Sequence, residues 1–254
     1  MTSTEISDLW VRRYHPRPDA AVRLVCFPHA GGSAPFYFPV SAEIGPDVDV
    51  LAVQYPGRQD RRQEPLVADL HVLADQLADA LDPWLDRPFA FFGHSMGATL
   101  AYEVARRFEA RGKVPAQVFV SGRRAPSQLR DERVHQGGEA TIIADMKKLS
   151  GTDTRIFGEP ELMGLLLPVI RNDYEAAETY AMRESGGPAL TSPVTVLIGD
   201  DDPKSTVAEA EAWRDHTSGE TVVHIYPGGH FYLVQHKDAL LDVMRKALAE
   251  VTVG

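Results

Sequence analysis

A chain of 254 residues, 44% hydrophobic and 24% charged, has the make-up of a soluble globular protein with ample material for a large core. Its 26 basic and 36 acidic residues leave a net charge of −10, which argues against broad nucleic-acid binding and against an anionic membrane surface. A single cysteine, Cys26, excludes disulfides within the chain and fits a reducing compartment.

Residues 1–21 are polar, carry Pro16 and Pro18, and read as a surface lead-in. Met1 to Trp10 lacks the basic start and apolar core of a signal peptide. The most apolar stretch, Leu162 to Ile170, is short and broken by Gly164 and Pro168, so no membrane span is expected. A cytoplasmic location follows, with a monomer favoured because no dimerisation element stands out. Val22 to Phe27 is an apolar, β-rich run that predicts a buried strand. It ends in the glycine turn Pro28-His29-Ala30-Gly31-Gly32-Ser33. Val48 to Val53 predicts a second strand, closed by Tyr55-Pro56-Gly57-Arg58. Between Leu66 and Leu85 the leucines at 66, 70, 73, 77 and 81 recur every three to four positions, an amphipathic helix. Phe89 to Phe92 predicts strand three, Val118 to Ser121 strand four, Val194 to Ile198 strand five and Val222 to Tyr226 strand six. Helical stretches cover Ala98 to Arg111, Thr206 to His216 and Lys237 to Val251. Strands alternating with helices imply an α/β fold, a mostly parallel sheet with right-handed crossovers. The candidate motifs all follow strand C-terminal ends, the edge where open α/β sheets bind ligands.

One segment breaks the rhythm. Gly122 to Pro193 places about 70 residues between consecutive strands, where one crossover needs roughly 30. Helices are expected inside it over Glu139 to Leu149 and Glu161 to Met182. The second carries apolar residues on all sides, more than one face requires. An insertion of about residues 124–190 with excess apolar surface above the ligand edge reads as a lid on a single domain; an elaborated crossover is the alternative.

The chemistry centres on Gly93-His94-Ser95-Met96-Gly97, the Gly-x-Ser-x-Gly pattern of a nucleophile elbow between strand and helix. Serine there sits in strained backbone, and its neighbours must be small because a Cβ would strike the adjoining strand or helix. A serine hydroxyl needs a base, itself oriented by a carboxylate. The elbow fold takes them in the order Ser, acid, His. Gly199-Asp200-Asp201-Asp202-Pro203 follows strand five and Pro227-Gly228-Gly229-His230-Phe231 follows strand six. Asp202 is the preferred acid, with Asp201 second, since only one of three adjacent like charges is expected to turn inward. Of nine histidines, His230 lies on a loop whose small neighbours permit close approach. His224 lies within a strand, His236 near a helix start, and His94 too close to Ser95 in the chain to serve as its base. An oxyanion needs two N–H donors, and Met96 and Ala30 are the candidates. No zinc-ligand pattern, Walker loop or dinucleotide loop occurs, so neither metal nor cofactor is expected.

The motifs Phe27-Pro28-His29-Ala30-Gly31-Gly32-Ser33, Tyr55-Pro56-Gly57-Arg58, Gly93 to Ala98, Ser121-Gly122-Arg123-Arg124-Ala125-Pro126, Gly199 to Pro203 and Gly229-His230-Phe231-Tyr232-Leu233 resemble, in that order, those of the type II thioesterases. These are discrete α/β-hydrolases that accompany modular polyketide synthases and non-ribosomal peptide synthetases. The resemblance spans roughly residues 10–250. It implies hydrolysis of acyl thioesters on the phosphopantetheine arm of acyl or peptidyl carrier proteins, with Ser95 acylated and His230 moving the proton. It further implies an editing role, clearing stalled acyl units from the assembly line. Because carrier proteins are acidic, Arg123, Arg124, Arg130, Arg133, Lys147 and Lys148 are expected to form a docking rim. A carboxylesterase or an acyltransferase would use the same residues on other acyl groups.

Overall fold

The computed structural model describes residues 3–149, 159–182 and 190–251. Among them the strands form a seven-stranded sheet in the order β1-β3-β2-β4-β5-β6-β7: β1 Val11–Arg12, β2 Val22–Phe27, β3 Val48–Val53, β4 Phe89–His94, β5 Gln117–Ser121, β6 Val194–Gly199 and β7 Thr221–Tyr226. Only β1 runs antiparallel, beside β3; the other pairs are parallel. Every residue of β2 to β6 is buried. That explains their continuous apolar runs, since helices cover both faces. β7 lies at the sheet edge, and its residues are half-buried or exposed.

The helices are α1 Ser3–Trp10, α2 Phe38–Glu43, α3 Leu70–Leu81, α4 Met96–Ala110, α5 Glu139–Leu149, α6 Pro160–Glu178, α7 Val207–Glu211, α8 Tyr232–Gln235 and α9 Lys237–Val251. Helix α3 starts later than its leucine spacing suggests because Asp69 caps it, accepting from the His71 and Val72 amides. A Thr206/Glu209 capping box opens α7. That helix gives way to a 3₁₀ turn, Ala212–His216, so the single helix expected over this stretch is two pieces. One core cluster packs α3 and α4 on one face of the sheet; the other packs α9 and the α2 region on the opposite face.

The lead-in differs from its reading as a surface segment. Trp10 is buried beneath the Arg61 guanidinium, Ser7 Oγ donates to the Ala80 carbonyl at 2.7 Å, and Val11 pairs with Val53. A stretch this short shows no periodicity in sequence; its partners lie elsewhere in the chain.

The insertion leaves β5 and returns at β6. Its described parts hold α5 and α6, which pack together through Ile142, Met146, Met163, Leu167, Ile170 and Tyr174. Ala30 packs against this cluster. Leu165 remains 72% exposed, the outward remainder of the all-round apolar pattern. Residues 150–158 and 183–189 of the expected 124–190 insertion lie outside the described residues. No described helix is long and apolar enough to cross a membrane.

Candidate active site

The ends of four parallel strands bring the site together: β2 leads to the Ala30 turn, β4 to Ser95, β6 to the Asp202 loop and β7 to the His230 loop. Gly93 pairs with Phe27 of β2 and His94 with Ser121 of β5, so β4 delivers Ser95 at the centre of the sheet's ligand edge. Ser95 has φ 57° and ψ −120°, a backbone that serine adopts only under constraint. Its amide is tied to the Ser121 carbonyl at 2.8 Å. The flanking glycines are a packing necessity. A Cβ at Gly97 would stand 2.0 Å from the Phe27 carbonyl oxygen, and one at Gly93 2.0 Å from that of Gly97. Helix α4 begins at Met96, which aims the positive end of its dipole at the space above Ser95.

The structure places His230 Nε2 3.0 Å from Ser95 Oγ. On the far side of the ring, Nδ1 lies 2.9 and 3.0 Å from the two Asp202 carboxylate oxygens. Both partners are buried, His230 at 2% and Asp202 at 6% exposure. The aspartate triplet separates by role. Asp200 is exposed and its Oδ1 accepts from the Gly228 amide at 2.9 Å, pinning the His230 loop. Asp201 is exposed, with its amide donating to the Gly228 carbonyl at 3.0 Å. Only Asp202 turns in, with Oδ1 also accepting from the Lys204 amide at 2.8 Å. The two loops meet so closely that a Cβ at Gly199 would lie 2.3 Å from the Gly228 carbonyl oxygen.

Ala30 and Met96 line the same cavity as Ser95 and His230, together with His29 and Phe231. The histidines set aside in sequence do not touch Ser95 Oγ. His236 Nε2 contacts the Pro227 carbonyl at 2.8 Å, and His224 sits in edge strand β7. His94 is fully buried, with Nδ1 3.0 Å from Ser121 Oγ, which lies 2.7 Å from the Tyr232 hydroxyl. Its ring packs 4.9 Å from that of His230. Burial holds the His94 pKa well below 6.5, with His230 and His29 adding to the effect. Burial also pushes His29 down to about 3, helped by His230 and Arg58. Two neutral imidazoles thus flank His230 and place no permanent positive charge beside it. Sequence reasoning missed the Ser121–Tyr232 pair behind His94; both residues stand in quoted motifs, yet nothing in their spacing reveals that their hydroxyls meet.

The arginine rim requires correction. Arg124 is 5% exposed and donates to the Gln128 and Lys204 carbonyls and to Glu132. The Arg123 side chain turns into the cavity wall, with Nη2 donating to the Ala177 carbonyl at 3.1 Å, and burial pushes its pKa down to about 10. Glu209 pairs with Arg130 and Asp131 with Arg133. Arg123 and Arg124 are thus drawn inward and Arg130 is neutralised by a carboxylate, while Arg133 stays exposed in a surface pair with Asp131.

The thioesterase-domain family model matches residues 22–248, the stretch that contains every element of this site. The chain belongs to the thioesterase family. It is 52% identical over 229 residues to the thioesterase PikA5 of Streptomyces venezuelae, covering 89% of this chain and 81% of that protein. It is 51% identical over 247 residues to a probable cadicidin biosynthesis thioesterase of Streptomyces griseus, covering 97% of this chain and 68% of the relative. Among solved structures, the type II thioesterase BorB from the borrelidin biosynthetic cluster superposes with a TM-score of 0.89 at 48% identity, covering 95% of this chain and 98% of BorB. The RedJ thioesterase of Streptomyces coelicolor, from the prodiginine pathway, superposes with a TM-score of 0.85 at 37% identity, covering 90% and 91%. The thioesterase sheet is that of an α/β-hydrolase, and the enzyme acts on thioesters.

Proposed function

We propose that this thioesterase hydrolyses acyl groups from the phosphopantetheine arm of acyl or peptidyl carrier proteins, as an editing enzyme of a polyketide or non-ribosomal peptide assembly line. The observation that carries the mechanism is the continuous chain from Ser95 Oγ through His230 to the Asp202 carboxylate. His230 Nε2 takes the Ser95 proton as Oγ attacks the thioester carbon, and Asp202 holds the imidazole in the tautomer with Nδ1–H. The Met96 and Ala30 amides receive the tetrahedral oxyanion. Its collapse expels the pantetheine thiolate, which His230 protonates, and leaves an acyl-Ser95 ester. Water, deprotonated by His230, then attacks that ester through a second oxyanion, whose collapse frees the acid as His230 returns the proton to Ser95 Oγ. A thiolate leaves more readily than an alkoxide, so the demand on His230 as acid is modest. The α5–α6 insertion acts as the lid of the acyl chamber.

The test compares an acyl-phosphopantetheinyl carrier protein with the oxygen ester of the same acyl group, for the wild type and Ser95→Ala. Carrier hydrolysis that exceeds ester hydrolysis and vanishes in Ser95→Ala supports this function. Preference for the oxygen ester points to a carboxylesterase, product on an added alcohol or amine to an acyltransferase, and full turnover by Ser95→Ala refutes the mechanism.

A further inference from the structure

The turn that carries Ala30 is held from three directions. The Tyr55 hydroxyl donates to the Pro28 carbonyl at 3.0 Å, and the Gly32 amide donates to the His29 carbonyl at 2.9 Å. A trans peptide keeps its C=O and N–H antiparallel in one plane, so the second bond also sets the direction of the Ala30 N–H. The third hold comes from the insertion. Asp173, on α6, is 3% exposed and accepts from the Gly31 amide at 2.8 Å through Oδ2. Gly31 belongs to the next peptide plane and has φ 74°, so the Asp173 bond fixes the remaining freedom around Ala30. Ile170, one turn earlier on α6, closes the space beside it. A Cβ at Gly31 would come 2.8 Å from Ile170 Cγ1.

A carboxylate beside an oxyanion site would repel the charge that develops there. Arg58 removes that conflict by pairing with the same Asp173 oxygen, both residues being buried. Arg58 also lies over the Tyr55 ring, 5.0 Å from its centroid, so the cation and the Pro28 anchor are one packed unit. Asn172 extends the hold outward, donating to the Val67 carbonyl at 3.0 Å.

We propose that Asp173 is a positioning residue of the thioesterase reaction, reaching from the insertion to orient the Ala30 amide through Gly31, with Arg58 cancelling its charge. Chamber and oxyanion site are then coupled: only an insertion seated on the turn presents the donor. The proposal rests on Ala30 being an oxyanion donor, and the experiment separates the two.

Kinetics on a small acyl-pantetheine thioester are measured beside the affinity of an acyl trifluoromethyl ketone, whose adduct with Ser95 carries the tetrahedral oxyanion. Asp173→Ala, which removes the acceptor, is expected to lower kcat and weaken the ketone by the same factor, on the order of 10 to 100, with KM changed by about twofold or less. Asp173→Asn, whose amide oxygen can still accept from Gly31, should recover most of both. Arg171→Ala, which removes bonds to the His135 and Gly137 carbonyls inside the insertion, loosens α6 while leaving Asp173 in place and should weaken the ketone too, by less than Asp173→Ala does. Replacing the Ala30 amide by an ester, with the α-hydroxy analogue of alanine, removes the N–H itself and should cost about 100- to 1,000-fold in kcat. In that ester background Asp173→Ala should add far less than it does alone. If the ester lowers kcat and ketone affinity while Asp173→Ala leaves ketone affinity intact, the positioning role is wrong and the Ala30 donor stands. An ester without effect overturns both. Should Asp173→Ala fail to fold, an ester in place of the Gly31 amide removes the same hydrogen bond from its other side, with the same loss expected.

Discussion

Replacing Asp202 by Asn probes the part of the site where sequence left a choice. In the wild type both carboxylate oxygens lie within 3.0 Å of His230 Nδ1, and Oδ1 also accepts from the Lys204 amide. An asparagine keeps its oxygen on Lys204 and turns its NH₂ toward Nδ1, so the ring can only accept there and must carry its proton on Nε2. That tautomer faces Ser95 with a donor and cannot take its proton. Asp202 is 6% exposed, so solvent cannot reorient the ring. The expected loss is about 10⁴-fold in kcat, roughly 5.5 kcal/mol of transition-state stabilisation, with the shape of the fold unchanged. Release of free thiol from an acyl-pantetheine substrate, followed colorimetrically across pH 6 to 10, measures it, with activity recovering as hydroxide replaces the missing base. Asp201→Asn is the control. Its side chain is exposed and its loop contact is made by the backbone amide, so activity should stay within about twofold of wild type, as for a surface change away from the site. A larger loss in Asp201→Asn than in Asp202→Asn would refute the assignment, as would an Asp202→Asn enzyme retaining a tenth of wild-type kcat.

Arg124→Glu should destabilise the fold by about 2 to 4 kcal/mol, because it sets a second carboxylate beside Glu132, which among the described residues keeps only Lys204 at 3.4 Å, and removes the donor to two half-buried carbonyls. Its activity on carrier-bound and small thioesters should fall together with the melting temperature; a rise in KM confined to the carrier substrate, at unchanged Tm, would instead restore the docking rim. Acid should destabilise the enzyme through His94 and His29, whose folded pKa values lie below their ordinary 6.5, the latter at about 3. The unfolded chain binds more protons in that window, so stability is intact above about pH 6.5 and falls on acidification toward pH 3, by up to about 1.4 kcal/mol per pH unit for each histidine. Urea midpoints at pH 7.5 and 5.0 test this, and a His29→Phe variant should show a shallower fall; identical midpoints at both values would contradict it.

The elbow was legible in sequence because its chemistry is local. Gly93 is required by the Gly97 carbonyl four positions on, and Gly97 by Phe27 on the neighbouring strand, with Ser95 fixed between them. Burial of β2 to β6 on both faces likewise wrote continuous apolar runs into the chain. Helix α1 and the edge strand β1 were not legible. Trp10 is apolar for the sake of Arg61 and of α3, and eight residues are too few to show a period. The basic cluster misled for the related reason that a count of positive charges cannot show Glu209 folding back onto Arg130.

What the sequence alone determined, then, is the parallel α/β sheet, the serine turn and the order in which acid and histidine follow it, because strand burial and tight turns constrain residue type position by position. What the tertiary structure decided is which groups meet. It turned Asp202 rather than Asp201 toward His230, drew Arg123 and Arg124 inward, and laid Asp173 against Gly31 across 142 positions of chain. Such pairings depend on where helices and loops cross in space, and nothing in the spacing of either partner records the distance between them.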